Sequence, residues 1–242
     1  MIEVRNLDKT FDGQPVLTGI DAAFEAGKTN LIIGRSGSGK TVLLRCLTGL
    51  LTPDNGQVLY DGRDFFALGK KDLSLLRREM GVVFQGAALF DSMNVLENVM
   101  FPLTLFTDDS SSVCKAKAEE CLERVDMQDA GRKMPSELSG GMQKRVAIAR
   151  AIVLRPHYLF CDEPTSGLDP VTALVIDELI HSLTVEFGMT TVINTHDMHS
   201  VLGIGESILF IHEGCAAWKG NKDMVLHSGN ALLEAFMKPA FR

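Results

Sequence analysis

The residues with the sharpest chemical meaning are Gly34-Arg35-Ser36-Gly37-Ser38-Gly39-Lys40-Thr41. Three glycines let the main chain approach phosphate oxygens closely enough for its N–H groups to donate to them, and a helix starting there adds its positive end. The spacing fits a P-loop, in which Lys40 reaches the β- and γ-phosphates of a nucleotide and Thr41 offers a hydroxyl to Mg2+. Such a site needs a carboxylate for the cation, and Tyr158-Leu159-Phe160-Cys161-Asp162-Glu163 is an apolar run that ends in two acids. Asp162 is the expected magnesium-associated residue and Glu163 the base or water-positioning residue. Successive strand residues point to opposite faces, so both acids can serve one site only if the strand ends and turns there, as Pro164 allows. Taken alone, the pair reads equally well as a polar strand end. Leu138-Ser139-Gly140-Gly141-Met142 places a serine and two glycines at the start of a helix, a second anion-binding helix end or an ordinary serine N-cap.

The elements that must position these residues follow from periodicity. Strands are expected at Ile2–Leu7, Thr29–Ile33, Gln57–Tyr60, Val82–Phe84, His157–Cys161, Thr190–Asn194 and Ser207–Ile211, several as continuous apolar runs buried on both faces. This is the pattern of an α/β core with a mostly parallel sheet. The P-loop follows the strand Thr29–Ile33 and opens a helix through Val42–Leu50. Between residues 86 and 155 strand signals fade, and Ser112–Val125 lines Cys114, Ala118, Cys121, Leu122 and Val125 along one helical face. A helix over Gly141–Leu154 stops at Arg155-Pro156, because proline steers the preceding residue away from α conformation. The expected organisation is a nucleotide-binding core over residues 1–85 and 156–220, a helical insert over 86–155, and a tail over 221–242. In the tail, Ala231, Leu232, Leu233, Ala235, Phe236 and Met237 form the apolar face of a short helix ending at Lys238-Pro239. That face packs on the protein's own core or meets a second copy or a small regulatory partner.

Composition narrows the function classes. With 242 residues the chain has ample core, and 24 Lys+Arg against 31 Asp+Glu give a net charge of −7, which disfavours nucleic-acid binding by bulk charge. Every apolar stretch is broken before the roughly 20 residues needed to cross a bilayer. Five cysteines without metal-ligand spacing, and no secretory signal pattern, fit a reducing cytoplasm.

A P-loop far upstream and a serine-glycine-glycine signature about twenty residues before the acid pair together resemble the nucleotide-binding subunit of ATP-binding-cassette (ABC) proteins. The resemblance runs from about Met1 to Gly220. It implies a P-loop NTPase core joined to an antiparallel N-terminal β-part and a helical insert, with ATP and Mg2+ as cofactors. It also implies roles for further residues: Phe11 stacks on adenine, its plainer and lesser reading being a strand-end core residue. Gln85 contacts the magnesium and links the core to the insert, and His196 meets the γ-phosphate. Ser166-Gly167-Leu168-Asp169 crosses a dimer interface, its plain reading being a turn in which Asp169 caps the next helix. Two copies are expected to pack head to tail, Ser139, Gly140 and Gly141 of one facing the P-loop of the other across each ATP. The family's usual glutamine after the two glycines is Met142 here, so any hydrogen bond donated by that amide is absent.

The run Phe84–Met93 together with Met142 and Lys144-Arg145 is similar to the subfamily that serves bacterial phospholipid transporters with mammalian-cell-entry (MCE) domain partners. That resemblance implies an integral membrane permease and an MCE-domain lipid-binding protein as partners, with the ATPase peripheral on the cytoplasmic face of the inner membrane. The apolar stretch from Ala87 to Leu103 lies where such subunits receive a permease helix, although most of it is expected to pack the insert itself. The alternative is the ATPase of an amino-acid or methionine importer, and behind it a soluble ABC ATPase without a transport role.

Overall fold

Apolar residues at alternating strand positions are divided between two cores, and that division builds the molecule. The structure is a computed structural model and describes residues 1–238. Its strands are β1 (Ile2–Phe11), β2 (Gln14–Phe24), β3 (Thr29–Ile33), β4 (Asn55–Tyr60), β5 (Arg63–Asp64), β6 (Met80–Val83), β7 (Tyr158–Asp162), β8 (Thr190–Thr195), β9 (Ser207–His212) and β10 (Cys215–Gly220). Its helices are α1 (Lys40–Leu47), α2 (Lys70–Arg78), α3 (Val95–Phe106), α4 (Ser111–Arg124), α5 (Gly140–Ile152), α6 (Pro170–Phe187), α7 (Met198–Ile204), α8 (Lys222–Val225) and α9 (Ala231–Met237).

Six strands form one sheet in the order β10-β9-β3-β8-β7-β6, parallel from β9 to β6 with β10 as an antiparallel edge. Leu31, Ile33, Leu159, Cys161 and Ile193 face a core shared with helices including α3, α4, α5 and α6. Ile32, Phe160, Val192 and Leu209 face a second core, shared with α1 and a four-stranded antiparallel sheet in the order β2-β1-β4-β5. Strands buried on both faces read as continuous apolar runs for this reason.

Three two-residue turns close the hairpins: Asp12-Gly13, Asp61-Gly62 and Glu213-Gly214, each with positive φ at both positions. That geometry matches the right-handed twist of paired strands, and aspartate or glycine adopts it most readily. These dipeptides are the signals for β2, β5 and β10, three strands that apolar periodicity alone does not separate. Other boundaries also differ from expectation. β1 extends past Leu7 to Phe11, and β6 stops at Val83, leaving Phe84 exposed. The helix after the P-loop ends at Leu47, not Leu50, because Gly49 turns into the left-handed region. No strand falls within residues 86–155.

In the tail, Asn230 caps α9 by accepting from the N–H groups of Leu232 and Leu233, and Leu233 and Met237 are buried. Phe236 packs on Phe210, with ring centroids 5.4 Å apart, so Leu233, Phe236 and Met237 lie on the chain's own core, whereas Ala231, Leu232 and Ala235 of the expected apolar face are exposed. Pro239, the expected stop, lies outside the described residues.

Candidate functional site

The carboxyl ends of parallel strands β3, β6, β7 and β8 lie side by side, which is where open α/β sheets place their ligands. From β3 the chain enters the P-loop through Gly34. A Cβ there would come within 2.4 Å of the Ile211 carbonyl oxygen, so no larger residue fits. Arg35, Ser36 and Gly37 are exposed, whereas Ser38, Gly39 and Lys40 turn inward. The Lys40 ammonium donates to the carbonyls of Gly34 at 2.9 Å and Arg35 at 3.1 Å. Burial holds it below the ordinary lysine range, while Glu163 and Asp162 pull the other way. An open cleft of about 410 Å³ is lined by Ser36, Gly37, Gly39, Lys40, Thr41, Gln85 and Glu163, with Val16 and Val42 at its side.

On the opposite side, β7 ends at Asp162 and the turn falls on Glu163 itself, which has φ of 46°. This is the change of direction that lets two successive acids serve one site. Thr41 Oγ1 donates to Asp162 Oδ1 at 3.3 Å. Glu163 Oε1 lies 3.0 Å from His196 Nδ1, and Glu163 Oε2 accepts from Gln85 Nε2 at 3.3 Å. Gln85 Nε2 is also within 3.3 Å of Ser166 Oγ. Lys40, Thr41, Gln85, Asp162, Glu163 and His196 are thus brought together from four separated segments.

Other expected residues stand apart. Ser139 is the N-cap of α5, its Oγ accepting from Met142 N–H at 3.3 Å, and neither it nor Gly140 or Gly141 lines the cleft. A Cβ on Gly141 would lie 2.7 Å from Thr172 Cγ2, so the second glycine permits close packing of α5 on α6. Asp169 does act as a cap, accepting from the N–H groups of Val171 and Thr172 and from the Thr172 hydroxyl at 2.6 Å. Phe11 is the last residue of β1 and is exposed, which removes the core reading; Lys9 Nζ sits 5.4 Å from its ring centroid.

Several supporting residues were given no role in the site by the sequence, although Lys144 belongs to the pattern of the subfamily resemblance. Lys144, buried on α5, donates to the Gln85 carbonyl, and burial lowers its basicity. Arg150, two turns along the same helix, donates to the carbonyls of Ala87 at 2.8 Å and Ala88 at 2.7 Å. Both alanines have left-handed φ, a conformation that costs a non-glycine residue about 1 kcal/mol or more and needs such support. Asn194 donates to Asp162 Oδ1 at 3.1 Å. Asp177 on α6 accepts from Ser200 Oγ of α7 at 2.6 Å, and burial, with Asp197 nearby, pushes its carboxyl up to about 6 while the Ser200 bond opposes. The usable sequence signal is a polar residue inside an apolar pattern: Lys144 and Asp177 interrupt helix faces, and Asn194 interrupts a buried strand.

Beside the Gln85 loop lies an apolar groove of about 520 Å³, where Phe84, Phe90, Leu105 and Phe106 are exposed. Most of the stretch from Ala87 to Leu103 packs inward instead, including Ala87, Val95, Val99 and Leu103. The Arg150 guanidinium lies 5.8 Å from the Phe90 ring centroid.

Similarity to known proteins covers the same residues. The family described as ABC transporter matches residues 17–166, which include the P-loop, Gln85, Ser139–Gly141 and the acid pair. The methionine import ATP-binding protein MetN of Clostridium acetobutylicum is 41% identical over 214 residues, 88% of this chain and 67% of that protein. The intermembrane phospholipid transport system ATP-binding protein MlaF of Escherichia coli is 36% identical over 243 residues, 100% of this chain and 87% of that protein. Among solved structures, the dimeric post-hydrolysis state of the ATP-binding cassette MJ0796 bound to ADP and Pi matches with a TM-score of 0.83 and 32% identity, covering 92% of this chain and 99% of that one.

Proposed function

The chain belongs to the ABC transporter family as an ATP-hydrolysing subunit, and from that premise we propose that it drives a phospholipid permease in a bacterial envelope. The observation that carries the catalytic part is the convergence of Glu163, His196 and Gln85 beside Lys40 and Thr41. Hydrolysis adds water at the γ-phosphorus and breaks the bond to the bridging oxygen, releasing ADP and phosphate. Glu163 orients that water and takes up its proton, held at one oxygen by His196 and at the other by Gln85. The P-loop N–H groups and the Lys40 ammonium cradle the phosphates, for which Lys40 exchanges its present bonds to the Gly34 and Arg35 carbonyls. Phe11, at an exposed strand end, offers a face for the adenine ring.

The residues suit Mg2+. Thr41 and Asp162 supply a hydroxyl and a carboxylate within hydrogen-bond reach of each other, and the Gln85 amide oxygen is a third hard donor. No cluster of three or more His, Cys, Asp and Glu occurs among the described residues, so these donors would hold the ion together with phosphate and water oxygens, as Mg2+ prefers. When bound, Mg2+ neutralises charge on the phosphates.

ABC cassettes dimerise and pair with membrane permeases. Exposed Ser139 and Gly140, away from their own cleft, fit a head-to-tail pair in which each copy completes the other's site. Among the described residues no helix is long and apolar enough to cross a membrane, so the proposed place is the inner face of the inner membrane, held by the permease. The exposed aromatics of the groove suit a permease helix, and Arg150 ties that groove to the Gln85 loop. An MCE-domain lipid carrier and a small regulatory protein complete the proposed machine. Phospholipid as cargo is supported by the Phe84–Met93 run, by Met142 and by similarity to MlaF along the whole chain. The higher identity to MetN favours a second reading, a methionine-type importer.

The Glu163→Gln variant, extracted from membranes in mild detergent with Mg-ATP, tests both levels. Retained ATP binding with abolished turnover supports the catalytic assignment, and ordinary ATPase activity overturns it. Co-purified phospholipid and an MCE-domain protein support lipid transport, whereas a permease with a small-solute receptor moves the assignment to an importer.

A further inference from the structure

One residue of β8 holds both acids of the site. Asn194 is fully buried, and in the parallel ladder it lies opposite Asp162 on β7 and Ile32 on β3. Its side-chain amide donates to Asp162 Oδ1 at 3.1 Å, and its main-chain carbonyl accepts from the Glu163 N–H at 3.0 Å. The second bond fixes the residue at which the chain turns left-handed, and the first fixes the carboxylate just before it. Thr41 Oγ1 donates to the same oxygen of Asp162. With two donors on one side, Asp162 has its orientation set, and its other oxygen accepts no hydrogen bond from the described residues.

The other end of the Asn194 amide shows what the residue is kept for. Its Oδ1 is buried and has no hydrogen-bond partner among the described residues. Turning the amide over would set that oxygen against a carboxylate oxygen, two acceptors facing each other, so the observed orientation is the one the site enforces. The strand also buries Thr191 and Thr195, but Thr191 pairs with the Thr184 hydroxyl and Thr195 accepts from Asp197 N–H, whereas the Asn194 oxygen is orphaned at a cost that an apolar residue would avoid. The single bond to Asp162 is therefore the gain that retains an asparagine here.

We infer that Asn194 is a positioning residue for Asp162, holding that carboxylate ready for the divalent cation of the nucleotide site. The inference rests on the nucleotide-site reading above and extends it to a residue outside every motif. Partners that orient a ligating group tune metal affinity by an order of magnitude or more. Asn194 acts only through Asp162, so it affects cation affinity and leaves cation-free nucleotide binding alone.

The test uses the full chain with AMP-PNP as nucleotide and Mn2+ as the cation probe, followed by electron paramagnetic resonance. In Asn194→Leu, AMP-PNP affinity in EDTA should stay within about twofold of the parent while Mn2+ affinity of the nucleotide complex falls about tenfold. Unchanged Mn2+ affinity in the folded variant overturns the inference. If the parent protein itself takes up no AMP-PNP or no Mn2+, the nucleotide-site reading fails instead, and the two failures are distinct. Should the leucine variant not fold, the parent labelled with 15N-asparagine replaces it. The Asn194 side-chain amide resonances should move when Mg2+ is added to the AMP-PNP complex, and resonances that respond to AMP-PNP but not to Mg2+ overturn the inference.

Discussion

The P-loop and the Gln85 loop border the same cleft but are held in place by different means. The P-loop is held largely from within, by Ser38 N–H on the Arg35 carbonyl and the Lys40 ammonium folded back onto the carbonyls of Gly34 and Arg35, and it lies so close to the Ile211 carbonyl of β9 that only glycine fits at position 34. The Gln85 loop has only two short main-chain bonds of its own, from Ala87 N–H to the Phe84 carbonyl at 2.9 Å and from Ala88 N–H to the Gly86 carbonyl at 2.7 Å. Its conformation, with Ala87 and Ala88 both left-handed, depends on Lys144 and Arg150 reaching out from α5. That helix begins at the capping residue Ser139 with Gly140 and Gly141, the segment expected to meet a partner's nucleotide. One wall of the site is thus largely built in, and the other is suspended from the helix whose start is proposed to meet a second copy. The difference predicts that nucleotide affinity resides in the built-in wall and control of turnover in the suspended one.

Breaking the built-in wall has the largest expected effect. Lys40→Ala removes the ammonium that would pair with phosphate, and nucleotide affinity measured by titration should fall on the order of a hundredfold, about 3 kcal/mol. Unchanged affinity would remove the contrast, since neither wall would then govern binding.

The group expected to titrate lies outside both walls, on the helices that follow the acid pair and His196. Asp177 joins α6, which follows the Ser166–Asp169 loop, to α7, which follows His196. Its carboxyl is raised to about 6 in the folded protein, above the ordinary aspartate value, so the folded state binds the proton more tightly than the unfolded state. The resulting stabilisation is full below the unfolded value of about 4 and is lost as pH rises through about 6. Between pH 4.5 and 6.5 this group should lower stability by about 2 kcal/mol, and Asp177→Asn should flatten that slope in urea titrations. An equal slope in the variant would place the pH dependence elsewhere.

The smallest effect sharpens the contrast most. Lys144→Met cuts the tie between α5 and the Gln85 carbonyl while leaving the P-loop untouched. Steady-state ATPase assays should give a kcat about tenfold lower, near 1.4 kcal/mol, with KM within about twofold. A rise in KM with unchanged kcat would show that the Gln85 loop serves binding instead.

Residues 34–41 could be read directly from the sequence because a P-loop is local: eight contiguous residues whose main chain does the binding. The acid pair was legible as the polar end of an apolar run, and the strand-then-helix order predicted an α/β core. Even the hairpins left a trace, in Asp12-Gly13, Asp61-Gly62 and Glu213-Gly214. Apolar alternation, however, states only that a strand is buried and not which neighbour it takes, so the antiparallel N-terminal sheet was implied by the family resemblance alone, and its order β2-β1-β4-β5 needed the tertiary structure. The supports of the site needed it too. Lys144 and Arg150 find their acceptors 59 and 62 positions away in the chain, and Asn194 is matched to Asp162 only by the register of two parallel strands. Main-chain geometry is encoded by the residues that adopt it, whereas the acceptor of a buried donor is decided by what packing brings beside it.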